Sequence, residues 1–173
     1  AAFTVSYPTR TGYTFAGWSI TGMDSCTHTY GSSTSTNTSL SSVTATSFMN
    51  LRATSGTVAF TASWTGNTYN IVINENGGNN VDDMTYQVRE SSRDVTLNRP
   101  TRITGYTLSS WTITTQSSGS NSSVTDAGIL TIPANAYNNI TVRANWTNNV
   151  YTVTYDSNGG SAVASQTIKE GGK

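Results

Sequence analysis

Few residues in this chain are equipped for chemistry. Cys26 and His28 stand two apart, the single cysteine and single histidine among 173 residues. A nucleophile–base pair needs a third group to orient the base and a set of donors for the oxyanion, and no local signature supplies either. A metal site needs three or four ligands, more than one Cys and one His provide. Asp82-Asp83, with Glu75, Asn79 and Asn80 nearby, offers oxygens to calcium, but the spacing is not that of an EF-hand loop and reads as a solvated turn. Gly77-Gly78 and Gly159-Gly160 lack the Gly-Lys-Ser/Thr that completes a phosphate loop. Four tryptophans (Trp18, Trp64, Trp111 and Trp146) and nine tyrosines could form a sugar-stacking platform. Trp64 and Trp146, however, each close an alternating apolar row, and Trp18 and Trp111 recur at matching positions, a pattern that reports core packing. The expectation is no catalytic residue, no metal, no cofactor and no enzyme.

Composition narrows the partners. Ser, Thr and Asn dominate the chain, while charged residues make up 10% against a usual quarter. Nine basic and nine acidic residues cancel, so the electrostatic footprint of a nucleic-acid or anionic-membrane binder is missing. Apolar runs are a few residues long, too short to insert into a membrane as a helix. Lys and Glu are scarce while Thr, Val, Ile and Tyr are plentiful, which disfavours helix and favours strand. One cysteine excludes an intrachain disulfide framework. A neutral hydroxyl-rich surface fits a secreted wall or appendage protein. Asn-x-Ser/Thr at Asn37, Asn121, Asn139 and Asn145 arises readily by chance in such a sequence. The start at Ala1, without a signal peptide, reads as a mature or excised segment.

The elements that carry these residues are repeated. Tyr69-Asn-Ile-Val-Ile-Asn-Glu-Asn-Gly-Gly78 returns as Tyr151-Thr-Val-Thr-Tyr-Asp-Ser-Asn-Gly-Gly160, and Ala59-Phe-Thr-Ala-Ser-Trp64 returns at the same offset as Thr141-Val-Arg-Ala-Asn-Trp146. Pro8-Thr-Arg-Thr-Gly-Tyr-Thr-Phe-Ala-Gly-Trp18 returns, at a somewhat larger offset, as Pro100-Thr-Arg-Ile-Thr-Gly-Tyr-Thr-Leu-Ser-Ser-Trp111. Residues 69–150 hold the whole order once. Residues 151–173 hold only its beginning and residues 1–68 only its end, and Ile168-Lys-Glu joined to Ala1 parallels Val88-Arg-Glu before Val95. The chain is one complete repeat between two complementary halves. Period-two alternation gives strands: Tyr69, Ile71, Ile73; Tyr151, Val153, Tyr155; Val58, Phe60, Ala62, Trp64; Ile140, Val142, Ala144, Trp146; Phe3, Val5, Tyr7. Asn76-Gly77 and Asn158-Gly159 suit tight turns. Segments 19–57 and 112–139, Ser/Thr-rich and poorly periodic, read as long surface excursions.

The run Tyr151-Thr-Val-Thr-Tyr-Asp-Ser-Asn-Gly-Gly160, Ile168-Lys-Glu-Gly-Gly172 and Pro8-Thr-Arg-Thr-Gly-Tyr-Thr-Phe-Ala-Gly-Trp18 resembles the Listeria–Bacteroides repeat, or internalin B-type repeat, in permuted register. That resemblance implies extracellular bacterial surface proteins and small ubiquitin-like β-grasp modules strung in tandem. The expected fold is mainly β with little helix. Residues 1–68 are expected to be the C-terminal part of a module, 69–150 a complete module, and 151–173 the N-terminal hairpin of the next. Tyr13, Trp18, Trp64, Tyr106, Trp111, Val142 and Trp146 form the expected core.

An unpaired hairpin at 151–173 would leave backbone groups and an apolar row uncovered. The short linkers at 65–68 and 147–150 carry it away from the first half, so a neighbouring copy is the expected cover. The expected assembly interface is Phe3, Val5, Tyr7, Val58, Phe60, Tyr151, Val153, Tyr155, Val163 and Ile168. The expected role is a structural unit of an extracellular bacterial filament, fibre or stalk whose partners are copies of itself. The alternative is an adhesin that reads host protein or glycan through its Ser/Thr-rich loops.

Overall fold

The computed structural model describes residues 2–30, 33–37, 47–53, 56–103 and 105–170. The described residues form strands and turns and no helix, and they fall into two compact units, 1–67 and 68–173.

The second unit begins with β7 (Thr68–Asn74) and β8 (Met84–Gln87), an antiparallel pair with Tyr69 opposite Tyr86. Asn76 and Gly77 take positive φ, and the Gly78 N–H donates to the Glu75 carbonyl at 3.0 Å, closing the expected tight turn. The turn opens a longer connection, because the partner strand resumes only at Met84. β10 (Tyr106–Thr115) pairs antiparallel with β13 (Ile140–Asn148), and β13 lies parallel to β7 with Ile140 level with Ile71 and Val142 with Ile73. The result is a mixed four-stranded sheet in the order β10-β13-β7-β8.

A second, three-stranded sheet is made by β9 (Arg93–Thr96), β11 (Ser123–Val124) and β12 (Ile129–Ile132), in the order β11-β12-β9. The two sheets share one apolar core: Ile71, Ile73, Tyr86, Trp111, Ile140, Val142 and Ala144 from the first, Leu97, Leu130, Ile132 and Ala136 from the second sheet and its flanks. The alternating rows read from the sequence are the faces that meet there. Each fully buried aliphatic side chain contributes about 1.5–3 kcal/mol. Burial, with Tyr69 nearby, pushes the Tyr86 phenol up to about 12, against the opposing pull of Arg93. Its hydroxyl donates to the Asn138 carbonyl at 2.6 Å.

The last strands, β14 (Val150–Val153) and β15 (Gln166–Lys169), form a separate two-stranded sheet. Tyr151 stands opposite Ile168, as Tyr69 stands opposite Tyr86. Ile168 is therefore the counterpart of Tyr86. The sequence matching of Ile168-Lys-Glu to Val88-Arg-Glu is out of step with this ladder, because Lys169 is paired within β15, opposite Val150, whereas Arg89-Glu90 lies beyond the end of β8.

In the first unit, β2 (Tyr13–Thr21) pairs with β6 (Ala59–Gly66) in a two-stranded sheet. Four further strands, β1 (Phe3–Thr4), β3 (Met23–Tyr30), β4 (Ser33–Asn37) and β5 (Ser47–Ala53), make a sheet in the order β1-β5-β3-β4. Trp18, Ile20, Cys26 and Phe48 are buried together, with Phe3, Val5, Phe15, Val58, Phe60 and Ala62 packed against them.

This corrects the reading of 19–57 as a surface excursion. The segment supplies three strands and two fully buried side chains, Cys26 and Phe48. Its neighbour 112–139 likewise supplies β11, β12 and the buried Leu130 and Ile132. Residues 38–46 and the His28 side chain lie outside the described residues. Burial raises the Cys26 thiol pKa, so the thiol remains protonated and poorly nucleophilic at neutral pH. We expect Cys26 to react with thiol reagents only on unfolding. Cys26→Ser should cost roughly 1–3 kcal/mol, because a hydroxyl replaces an apolar group in a closed site. Rapid labelling of the folded chain, or an unchanged urea midpoint for the serine variant, would contradict this placement.

Candidate assembly edge of the split repeat

The two units repeat each other strand for strand where both have the strand. In β2–β6, Phe15 is opposite Trp64, Trp18 opposite Ala62 and Ile20 opposite Phe60, with a register shift between Phe15 and Gly17. In β10–β13, Leu108 is opposite Trp146, Trp111 opposite Ala144 and Ile113 opposite Val142, with a shift between Leu108 and Ser110. The bulge falls at the same place in both. Side chains repeat too. Arg10 lies over the Tyr13 ring at 4.0 Å and Arg102 over Tyr106 at 3.8 Å. The Asn67 N–H donates to the Gly12 carbonyl at 2.9 Å, and that of Asn149 to the Gly105 carbonyl at 2.7 Å. The β1–β5 pairing, with Phe3 opposite Phe48, matches β9–β12, with Val95 opposite Leu130.

The difference lies at one edge. In the second unit β13 is flanked by β10 and β7, whereas in the first unit β6 has β2 on one side and no ladder partner among the described strands on the other. Burial follows. Ile140, Val142 and Ala144 are fully buried, while their counterparts Val58, Phe60 and Ala62 are only half-buried. The hairpin is affected in the same way. Ile73 is 4% exposed and Tyr86 2%, while their counterparts Tyr155 and Ile168 are 46% and 50% exposed.

The turn explains how a complete module holds its hairpin. The Trp146 indole N–H donates to the Glu75 carbonyl at 2.8 Å, and the Asn76 amide donates to the Ala144 carbonyl at 3.0 Å. Gly78 lies so close under the indole that an added Cβ would sit 2.6 Å from Trp146 Cζ2. In the hairpin of β14 and β15 the same turn is formed, with Asn158 and Gly159 at positive φ and the Gly160 N–H donating to the Ser157 carbonyl at 2.8 Å. There, a Cβ on Gly159 would meet nothing within 4 Å, and one on Gly160 would meet only Ser157.

The expected interface residues divide accordingly. Val58 and Phe60 line the β6 edge; Tyr151, Val153, Tyr155, Val163 and Ile168 belong to the hairpin or its connection, and all but the half-buried Val153 are exposed. Phe3 stacks on Phe48 at 5.5 Å from a different sheet, Val5 is half-buried, and Tyr7 is exposed beside the Phe15 ring. Of the expected core, Trp18, Trp111 and Val142 are buried, and Tyr13, Trp64, Tyr106 and Trp146 are half-buried.

The candidate chemistry finds other employment. The Asp83 carboxylate accepts the Ile73 N–H at 2.8 Å and the Glu75 carboxylate the Val81 N–H at 3.0 Å, tying down the β7–β8 connection. Among the described residues, no three His, Cys, Asp or Glu side chains cluster. None of the described residues forms a helix long and apolar enough to cross a membrane.

Two units that share a strand pairing, a bulge and the same Arg–Tyr contact define a repeat-built protein. The model of one family, the Listeria-Bacteroides repeat domain, matches over residues 2–45 and 151–173, a split consistent with this repeat in permuted register. The family is typical of bacterial surface proteins and generally non-catalytic. No curated protein and no solved structure matches the chain.

Proposed function

We propose that this chain is a structural unit of an extracellular bacterial filament, fibre or stalk, built head to tail. The hairpin at 151–173 of one copy completes the first unit of the next. One observation carries the reading: among its described residues the first unit has counterparts of β9, β10, β12 and β13 but none of β7 and β8, and β14 and β15 pair in the same mutual register as those two strands. Strand addition to an open sheet edge satisfies backbone groups on both partners. Because donor and acceptor are different surfaces, the contact is heterologous and repeats without closing unless the geometry forms a ring. The mixed sheet β10-β13-β7-β8, closed over a second layer, supports a β-grasp-like reading of the complete module.

The test is the assembly state of the purified full-length chain across concentrations, by sedimentation and electron microscopy. Filaments appearing above a threshold concentration are expected. A chain that stays monomeric at every concentration, yet binds glycans on an array, would replace this role with that of an adhesin.

A further inference from the structure

The complete module also specifies how the foreign hairpin sits, an inference that rests on the head-to-tail reading. We infer that β14 of one copy, continued through Asp156 as β7 continues through Asn74, docks as a parallel strand along the open edge of β6 of another. Val153 then lies level with Val58 and Tyr155 with Phe60, and the turn at Ser157–Gly160 closes under Trp64. The register is carried over from the complete module. β13 and β7 pair Ile140 with Ile71, Thr141 with Val72, Val142 with Ile73 and Arg143 with Asn74. Moving each strand by one repeat, as Trp146 maps to Trp64 and Tyr69 to Tyr151, gives Val58 with Val153, Ala59 with Thr154, Phe60 with Tyr155 and Thr61 with Asp156.

Three independent features of the two pieces fit this pose. First, the β6 row and the hairpin row are the parts left exposed relative to their buried counterparts, and the pose brings those two rows together. Second, β2–β6 keeps the register of β10–β13 from Leu108 to Ile113, with its first bulge; the second, between Ile113 and Thr115, lies on the β10 side, so β6 offers an edge of the form β13 offers to β7. Third, the clasp is prepared on both sides. Trp64 occupies the Trp146 position, so the pose brings its indole N–H to the Ser157 carbonyl, the counterpart of Glu75. Asn158 repeats the Asn76 amide that reaches the Ala144 carbonyl, here that of Ala62. Gly159 and Gly160 keep the two positions where, in the complete module, Arg102 and Trp146 come close. An isolated exposed turn has no need of a second glycine after Asn-Gly; a turn that must slide under an indole does.

The pose also separates partners that sequence alone groups together. The donor strand joins the sheet of β6, while Phe3 and Val5 face it from the opposite layer, as Val95 and Leu97 face β7 in the complete module. Tyr7 takes no ladder position in this interface.

Cysteine pairs placed on the outward, exposed side of the two strands read the register without disturbing the apolar rows. Full-length chains carrying Ala59→Cys with Thr154→Cys, or Thr61→Cys with Asp156→Cys, are assembled under reducing conditions and then oxidised. Both should give ladders of disulfide-linked multimers on denaturing gels. The mismatched combination Thr61→Cys with Thr154→Cys should not, since a two-residue slip separates the Cα atoms by roughly 8 Å, beyond disulfide reach. The unaltered chain, with only the buried Cys26, should give no ladder. A stronger ladder from the mismatched pair, or none from either matched pair in assembled filaments, would overturn the register while leaving head-to-tail assembly standing. A disulfide closed within a single chain would overturn the foreign hairpin itself. Absence of any assembly in the unaltered chain would remove the proposed function and this pose with it.

Discussion

Trp111→Ala should remove about 3–5 kcal/mol from the stability of the second unit, among the largest losses open to a single substitution there. The indole is 5% exposed and joins the core shared by the four-stranded and three-stranded sheets, so truncation opens a cavity that both layers line. A domain of this size is stable by roughly 5–15 kcal/mol, so the variant would be marginal at physiological temperature. Its Nε1–H has no hydrogen-bond partner among the described residues, so the loss is one of packing rather than polar contact. Trp146→Ala should cost less, about 2–3 kcal/mol, because that ring is half-buried, though it also gives up the bond to the Glu75 carbonyl. Urea unfolding followed by circular dichroism checks both. Equal midpoints for Trp111→Ala and the parent would mean that the core lies elsewhere.

Deleting residues 151–173 should abolish filaments altogether while sparing the second unit. No residue of that segment belongs to the core built around Ile71, Leu130 and Val142, so the truncated chain keeps that cluster whole. What it loses is the donor strand. The first units of all copies would keep an uncovered β6 edge, with Val58 and Phe60 half-exposed and backbone groups open to water. Sedimentation should find monomers at concentrations where the parent polymerises, and the far-ultraviolet strand signal should drop only by the share of two short strands. Filaments of unaltered morphology from the truncated chain would sink the assembly role.

The fold was legible where side chains of contrasting polarity alternate. The rows ending in Trp64 and Trp146 meet a partner on one face only, and their period of two is visible without any structure. The strands β3 to β5 were not legible, because Thr and Ser suit both a strand and a loop and leave little apolar contrast. Cys26 and Phe48 are isolated apolar residues within such stretches, and what places them is pairing with distant chain, Phe48 opposite Phe3. The hairpin's internal register was obscured by a tempting likeness of charge, Lys169-Glu170 with Arg89-Glu90, whereas the ladder is set by Tyr151 opposite Ile168. The candidate edge was half legible. Repeat arithmetic identified the missing strands, but β6 and β1 each have one described neighbour, and only the sheet orders of the second unit separate them: the counterpart of β6, β13, has strands on both sides, whereas that of β1, β9, is itself an edge.

The one-sided edge of β6 and the exposed hairpin have a consequence for anything built from such units. In the proposed assembly donor and acceptor are different surfaces, so every copy added through the hairpin would point the same way as the last. A fibre propagated by that contact is polar. One tip would present an unspent hairpin, with Tyr155 and Ile168 uncovered, and the other an unfilled groove beside Phe60. Growth at the two tips would therefore use different surfaces. A surface anchor that recognised either tip would fix which way such a fibre left the cell.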